Sequence, residues 1–291
     1  MEKALNTNHQ PTAGGSSATK KAVAKGNGQA GVPALDSAAL ERDAGAGLSN
    51  VTAQDLTIPR LKALMAQSHE CNKTKTQYVE GAQPGMILNT VTQELYNGNE
   101  GATVIPCGFI ATYAEWSPIG EGSSAPEHIY SSSSDILSKT TRDPKTNKDM
   151  LPNGNYIEKN YNFLVLVLSP NEESAQEALV TFKSTGLKVG RKWNSLMKSQ
   201  RMTSKDGREY NPASFALKYK LGTMQESNER GSWTTFTINL LGPIDTDKEA
   251  EFYYRARDFA SQIKKGDFQI AREEEAPQIS DKSSNTKETP F

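Results

Sequence analysis

The sequence feature that most constrains the fold is the run YNFLVLVLSP at residues 161–170. Its side chains are apolar on both faces of an extended chain, which is typical of a strand covered on both sides. The next segment, EALVTFKSTG, places Val180 and Phe182 on one face and Thr181 and Lys183 on the other. The two segments therefore predict neighbouring strands, with the first at the centre of a sheet.

Two later segments show the alternation of half-buried strands. In FALKYKL the apolar residues recur at every second position, and WTTFTINL alternates between apolar residues and a face that carries Trp233, Thr235 and Thr237. The polar connection GTMQESNERGS between them predicts a hairpin. Upstream, two further strands are predicted on either side of the turn NGNEG, because Thr, Val, Ile and aromatic residues are enriched there.

Three segments predict helices. LTIPRLKALM, residues 56–65, has Pro59 near its start and apolar residues at helical spacing, and residues 187–201 have a second helical pattern. A third helix is expected near Thr246, where T-D-K-E matches a capping box. This order predicts a mainly β protein with flanking helices, compatible with a small Greek-key barrel of the oligonucleotide-binding (OB) kind.

Composition divides the chain into three parts. Residues 1–50 contain no aromatic residue and predict a disordered arm, and residues 271–291 predict a flexible acidic tail. Residues 51–270 then form one OB-like domain, with a long loop at residues 117–156. No apolar run is long enough to span a bilayer and the N-terminus lacks the apolar core of a secretory signal, so we expect a cytoplasmic protein without membrane contact.

Catalysis is not expected. The three histidines lie far apart in the sequence, the two cysteines form no CxxC pair, and no phosphate-binding glycine motif is present. The acidic residues are scattered instead of clustered around a metal position. The sequence therefore predicts a protein that is not an enzyme and has no cofactor and no metal.

The charge distribution is the strongest functional signal. Between residues 183 and 220 there are ten basic and two acidic residues, although the whole chain has a formal net charge of -1. Such a concentration of like charge is typical of a surface that binds a polyanion, most commonly nucleic acid. The predicted contact residues for phosphates are Lys183, Lys188, Arg191, Lys192, Lys198, Arg201, Lys205, Arg208, Lys218 and Lys220.

A helical wheel separates the aromatic and cationic features of residues 187–201. Val189, Trp193, Leu196 and Met197 fall on one arc and the basic residues on the remainder. Trp193 is therefore expected to be buried. An ordinary solvated helix face is the alternative, but such faces usually pair their charges with acids four residues away, and here those acids are absent.

Single-stranded DNA is the expected ligand, because no duplex-reading motif is present. A single-strand binder needs a cationic groove and aromatic rings on which bases stack, each worth about 1–3 kcal/mol. The predicted stacking residues are Trp233, on the polar face of its strand, and Trp116 and Tyr113, at the start of the long loop. For Tyr113 a place in the core is an equal alternative.

The block FKSTGLKVGRKWNSLM, followed by FALKYKLGTMQESNERGSWTTFTI, resembles the bacteriophage single-stranded DNA-binding proteins, as does the tail. This resemblance implies an OB fold that binds and protects single strands during phage replication and recombination. It also implies that the tail recruits a polymerase, a helicase or recombination proteins. The residues that match the acidic ending in Pro-Phe are Glu273, Glu274, Glu275, Asp281, Glu288, Pro290 and Phe291, although Lys282 and Lys287 dilute the charge.

Two other classes of protein remain open from the sequence. A strand-annealing recombination protein would bind the same ligand but assemble into rings. A virion structural or scaffolding protein could also have flexible ends and a basic patch. Salt-dependent binding to oligothymidine separates the last class from the other two, because counterion release makes binding to a polyanion fall with salt.

Overall fold

The computed structural model describes residues 37–50, 57–118, 125–229 and 231–266 of the chain. It divides into the units Met1–Asn50 and Val51–Phe291. The described part of the first unit contains helix α1 (Ser37–Arg42), none of whose residues is buried. The elements of the second unit are β1 (Leu61–Ala63), β2 (Ile87–Asn89), β3 (Leu95–Tyr96), β4 (Ala102–Trp116), β5 (His128–Ser131), β6 (Thr141–Arg142), β7 (Asp149–Met150), β8 (Tyr156–Leu168), β9 (Ala175–Lys183), α2 (Leu187–Ser199), β10 (Met202–Thr203), β11 (Glu209–Tyr210), β12 (Leu217–Asn228), β13 (Gly231–Pro243) and α3 (Ala250–Lys265).

The second unit is mainly β, as predicted, and is built around one antiparallel sheet. Its strand order is β13-β12-β4-β8, with β9 beyond β8. β8 pairs with β4 on one side and β9 on the other, and its residues from Asn162 to Leu168 are all buried. The prediction of a central strand at residues 161–170 is therefore confirmed. The predicted hairpin is also confirmed, as β12 and β13.

Strand β4 bends where its register with β8 shifts, between Pro106 and Gly108. A Cβ atom at Gly108 would lie 3.0 Å from the side chain of Ile263 on α3. This spacing leaves little room for a side chain, so glycine lets α3 pack directly on the bent strand.

The sheet curls into a half-barrel. The ring of Phe182 on β9 lies 5.7 Å from the ring of Phe236 on β13, although these strands are at opposite ends of the strand order. The segment that contains β1 bridges the two ends. Leu179 N donates to Pro59 O at 2.7 Å, and Thr234 Oγ1 donates to Leu64 O at 3.0 Å.

The prediction of a helix at residues 56–65 is wrong for its described part. Residues 61–63 form β1, which pairs with β2. Leu61 and Leu64 are both buried, and the backbone around them bonds to strands at both ends of the sheet. These long-range bonds outweigh the local helical preference of the segment.

Helices cover both faces of the sheet. On one face the indole of Trp193 in α2 stacks on Phe163, with centroids 4.3 Å apart, and none of its surface is exposed. The predicted burial of Trp193 is confirmed. On the other face, Ala256 and Phe259 of α3 pack on Ile105 and neighbouring residues.

Helix α3 begins at Ala250 with Glu249 as its N-cap residue, and no side chain caps it. The predicted capping box at residues 246–249 is wrong. The carboxylate of Glu249 instead accepts hydrogen bonds from Lys218 Nζ and from the backbone N of Asp245. Among the helices that the structure describes, none is long and apolar enough to cross a membrane.

The predicted long loop contains more structure than its composition suggested. β5 adds to β4, and the hairpin of β6 and β7 adds to β8. Ile136 is buried with Tyr113 and Ile157 in a small core of its own. The described parts of residues 117–156 are therefore attached to the sheet through strands β4 and β8.

Candidate nucleic-acid interface

Three of the ten predicted phosphate contacts have carboxylate partners. Lys188 Nζ lies 2.5 Å from Glu226 Oε1, and Arg208 Nε lies 2.6 Å from Asp206 Oδ2. The third, Lys218, is largely buried and bonds to Glu249. The positive charge of these side chains is largely offset within the protein itself.

Two more of the ten are held by neutral groups. Lys220 Nζ lies 3.5 Å from Thr103 Oγ1, and Arg201 donates to the carbonyl oxygens of Lys198 and Gln200 at the end of α2. Cations are favourable at this end of a helix because the last carbonyls carry partial negative charge.

The remaining five are exposed and have no carboxylate within 4.0 Å in the part of the chain that the structure describes. We call them the unpaired cations; they are Lys183, Arg191, Lys192, Lys198 and Lys205. Three lie on α2, Lys183 lies at the end of β9 before it, and Lys205 lies in the turn between β10 and β11. The predicted cationic face is therefore reduced to the exposed side and flanks of this helix.

Trp116 and Lys183 line a small cleft on the face of the sheet that α3 partly covers. Lys183 Nζ lies 5.6 Å from the centre of the Trp116 ring. The cleft is a small notch that is open to solvent, with a volume of about 30 Å³. Its walls come from β4, β8, β9 and the segment before β1; they include Arg60, Thr112, Trp116, Asn160, Asn162, Thr181 and Lys183.

Polar side chains cross the floor of this cleft from strand to strand. Asn162 Nδ2 donates to Thr112 Oγ1 at 3.0 Å, and Thr181 Oγ1 donates to Asn162 Oδ1 at 2.9 Å. The indole nitrogen of Trp116 and the side-chain oxygen of Asn160 are buried, and neither has a hydrogen-bond partner among the described residues. The wall of the cleft therefore has one unused donor and one unused acceptor.

The predicted stacking residues have different surroundings. Trp233 is half-buried and lies opposite Glu226, the partner of Lys188, while its strand neighbour Thr235 is buried. Tyr113 is only 9% exposed and packs in the small core of the long loop, so its ring has little free surface. Of the two tryptophans, Trp116 has the closer contact with an unpaired cation.

The amide and hydroxyl side chains of the cleft were not predicted. Asn160, Asn162 and Thr181 stand on the face of their strands that also carries buried leucines such as Leu164 and Leu179. The signal in the sequence is the change from leucine to asparagine along one face of β8. That change marks the position beyond which α3 no longer covers this face of the sheet. Only the packing of α3 in the structure shows where this position lies.

Glu115 fixes the loop beside Trp116. Glu115 is only 4% exposed, and its carboxylate accepts hydrogen bonds from Tyr130 Oη, Asn155 Nδ2 and Asn153 Nδ2. Burial alone would raise the pKa of Glu115, but the bonds from Tyr130, Asn155 and Asn153 outweigh it and lower the pKa. The carboxylate therefore stays charged and connects the loop to β4.

The described residues contain no group of three or more His, Cys, Asp or Glu side chains placed to hold a metal ion. Cys107 is buried, and burial raises the pKa of its thiol to about 12, so it is a poor nucleophile.

The fold and this surface define a mainly β domain with an exposed cationic helix on one face of its sheet and a polar cleft on the other. Residues 25–269 match the family model of the Pam3 phage gp34-like protein. The chain belongs to this family, which indicates a phage protein. No curated protein and no solved structure matches the chain.

Proposed function

We propose that the protein binds single-stranded DNA without strong sequence preference. The observation that carries the proposal is the contact of Lys183 with the ring of Trp116 at the end of β9, the strand that leads into α2 and its further unpaired cations on the other face of the sheet. A single strand offers phosphates for such cations and flat bases for such a ring.

The order of the elements supports an OB-type barrel as the finer description of the fold. β4 pairs with both β8 and β12, α2 lies between β9 and β12, and β12 and β13 form a hairpin. OB domains bind oligonucleotides on their second and third strands. In this order the corresponding strands are β8 and β9, which carry Asn160, Asn162, Thr181 and Lys183 of the cleft.

Membership of a phage family supports a phage origin, and the role that we propose in that setting is phage DNA replication or recombination in the host cytoplasm. In this role the protein would cover and protect exposed single strands. The predicted tail, residues 271–291, lies outside the described residues. Recruitment of a polymerase, a helicase or recombination proteins through this tail remains part of the proposal and rests on the tail's sequence alone.

The test is a titration with oligothymidine at low salt, followed by tryptophan fluorescence and by the anisotropy of a labelled oligonucleotide. Trp193 is fully buried, so we expect quenching to come from Trp116 and Trp233. Trp116→Phe should lose a large part of the quenching and keep the fold. A duplex of equal length serves as the matched ligand control. Absence of oligothymidine binding at low salt would refute the proposal.

Strand annealing needs a separate measurement because it uses the same ligand. Electron microscopy of the protein with two complementary strands should show no rings. Rings would indicate a strand-annealing recombination protein instead.

A further inference from the structure

We infer that Phe109, Tyr161 and Lys159 form a second base-stacking site, here called the Phe109 platform. It lies on the face of β4 and β8 opposite the cleft and rests on the proposed binding of single strands. The register pairs Phe109 with Phe163, Ala111 with Tyr161 and Tyr113 with Lys159, which places these side chains on one face.

The ring of Phe109 is both exposed and held in position. It is 41% exposed, although it contacts Tyr161 at 5.4 Å and Phe163 at 5.0 Å between ring centroids. A large aromatic side chain that is fixed by its neighbours and keeps a free surface can stack on a flat ligand without losing much conformational entropy. The platform therefore has the rigidity that base stacking requires.

Lys159 gives the platform its charge. Its Nζ lies 5.3 Å from the ring of Tyr161 and 5.6 Å from the ring of Tyr113. In the described ranges Lys159 has no carboxylate within 4.0 Å. Tyr161 lies between this cation and the exposed ring of Phe109. An exposed ring with a cation one residue away suits a ligand that combines a flat ring with negative charge, which is the chemistry of a nucleotide. A neutral apolar ligand would offer no negative charge to Lys159.

The platform adjoins the cationic helix. A Cβ atom at Gly190 of α2 would lie 3.0 Å from Tyr161, so the helix passes directly against that ring. Arg191 and Lys192, two of the unpaired cations, follow Gly190 in the sequence. Lys159 and Asn160 are consecutive residues of β8, and their side chains lie on opposite faces of the sheet. The platform and the cleft are therefore separated by the thickness of the sheet at this β-strand.

The test compares three variants by the anisotropy of a labelled oligothymidine, which does not depend on the protein's own fluorescence. Phe109→Leu keeps an apolar side chain but removes the ring, whereas Phe109→Trp keeps a ring. Tyr254→Leu is the matched control, because Tyr254 is 54% exposed, lies 5.0 Å from the Arg257 guanidinium and stands in the first half of α3, away from the Ile263 end that contacts Gly108. Thermal melting of each variant confirms that it is folded.

We expect Phe109→Leu to bind about tenfold more weakly than the wild type, since one stacked base is lost. Phe109→Trp should bind nearly as the wild type does, with added quenching from the new indole, and Tyr254→Leu should be unchanged.

Equal affinities of Phe109→Leu and the wild type would overturn the platform while the proposed function stands. A wild-type protein that binds no oligothymidine would overturn both. Quenching of Phe109→Trp by an acidic, aromatic peptide but not by oligothymidine would overturn the platform as a nucleotide site and assign it to a protein partner.

Discussion

Replacing Arg191 and Lys192 together should change the salt dependence of DNA binding by a defined amount. Each phosphate neutralised on a single strand lowers the slope of log K against log salt by about 0.7. If the five unpaired cations all bind phosphates, the slope should be about -3.5, and Lys159 would bring it to about -4. If all ten basic residues of the segment bound phosphates, the slope would be about -7.

The variant Arg191→Ala/Lys192→Ala removes two of the unpaired cations and should make the slope less negative by about 1.4. The matched control is Lys73→Ala/Lys75→Ala, which removes the same charge from exposed positions in the turn at residues 73–77. Its slope should equal that of the wild type.

The assay is anisotropy of a labelled oligothymidine at a series of salt concentrations. Equal changes of slope in the two double variants would refute the assignment, because they would show that net charge, and not contact with α2, determines binding.

Two further predictions concern stability. Gly190→Ala should lower the free energy of unfolding by about 1 kcal/mol in urea titrations, since crowding against Tyr161 outweighs the gain in helix propensity; a more stable variant would contradict the packing at this helix. The pKa of Glu115 is lower in the folded protein than in the unfolded chain. Its ionised carboxylate therefore stabilises the fold at a pH above the pKa of the unfolded chain, and this stabilisation is lost as the pH falls through the pKa of the folded protein. Glu115→Gln should therefore destabilise the protein at neutral pH and flatten the acid side of its stability profile, and a profile identical to that of the wild type would exclude this role.

The strands of the sheet were predictable because their signals are local. Alternation along β12 and β13 reflects burial of one face of each strand, and the continuous apolar run of β8 reflects burial of both faces. The failed prediction at residues 56–65 has the opposite cause. The spacing of Leu61, Leu64 and Met65 suits a helix, but the backbone there bonds to β9 and β13, which are more than a hundred residues away.

The number of basic residues in this segment was predictable from the sequence, but the number that lack a carboxylate partner was not. A search for acids four residues away on α2 finds none, yet Lys188 is paired with Glu226 of β12. Lys218 on β12 likewise finds Glu249 just before α3. Partners that come from other strands and helices are visible only after the chain has folded, so the sequence overestimated the free charge.

Packing explains why the fold can hold unpaired cations on α2. Trp193 is fully buried, stacks on Phe163 and contacts Phe182 and Tyr219 edge to face. Removing a tryptophan from such a site costs about 3–5 kcal/mol, whereas a pair of like charges on an exposed helix costs about 0.2–0.5 kcal/mol. The buried face therefore determines whether the helix forms, and the cations on the other face contribute little to its stability. It follows that a change in affinity after replacing Arg191 and Lys192 does not come from unfolding of the helix, and the control variant separates lost contacts from lost net charge.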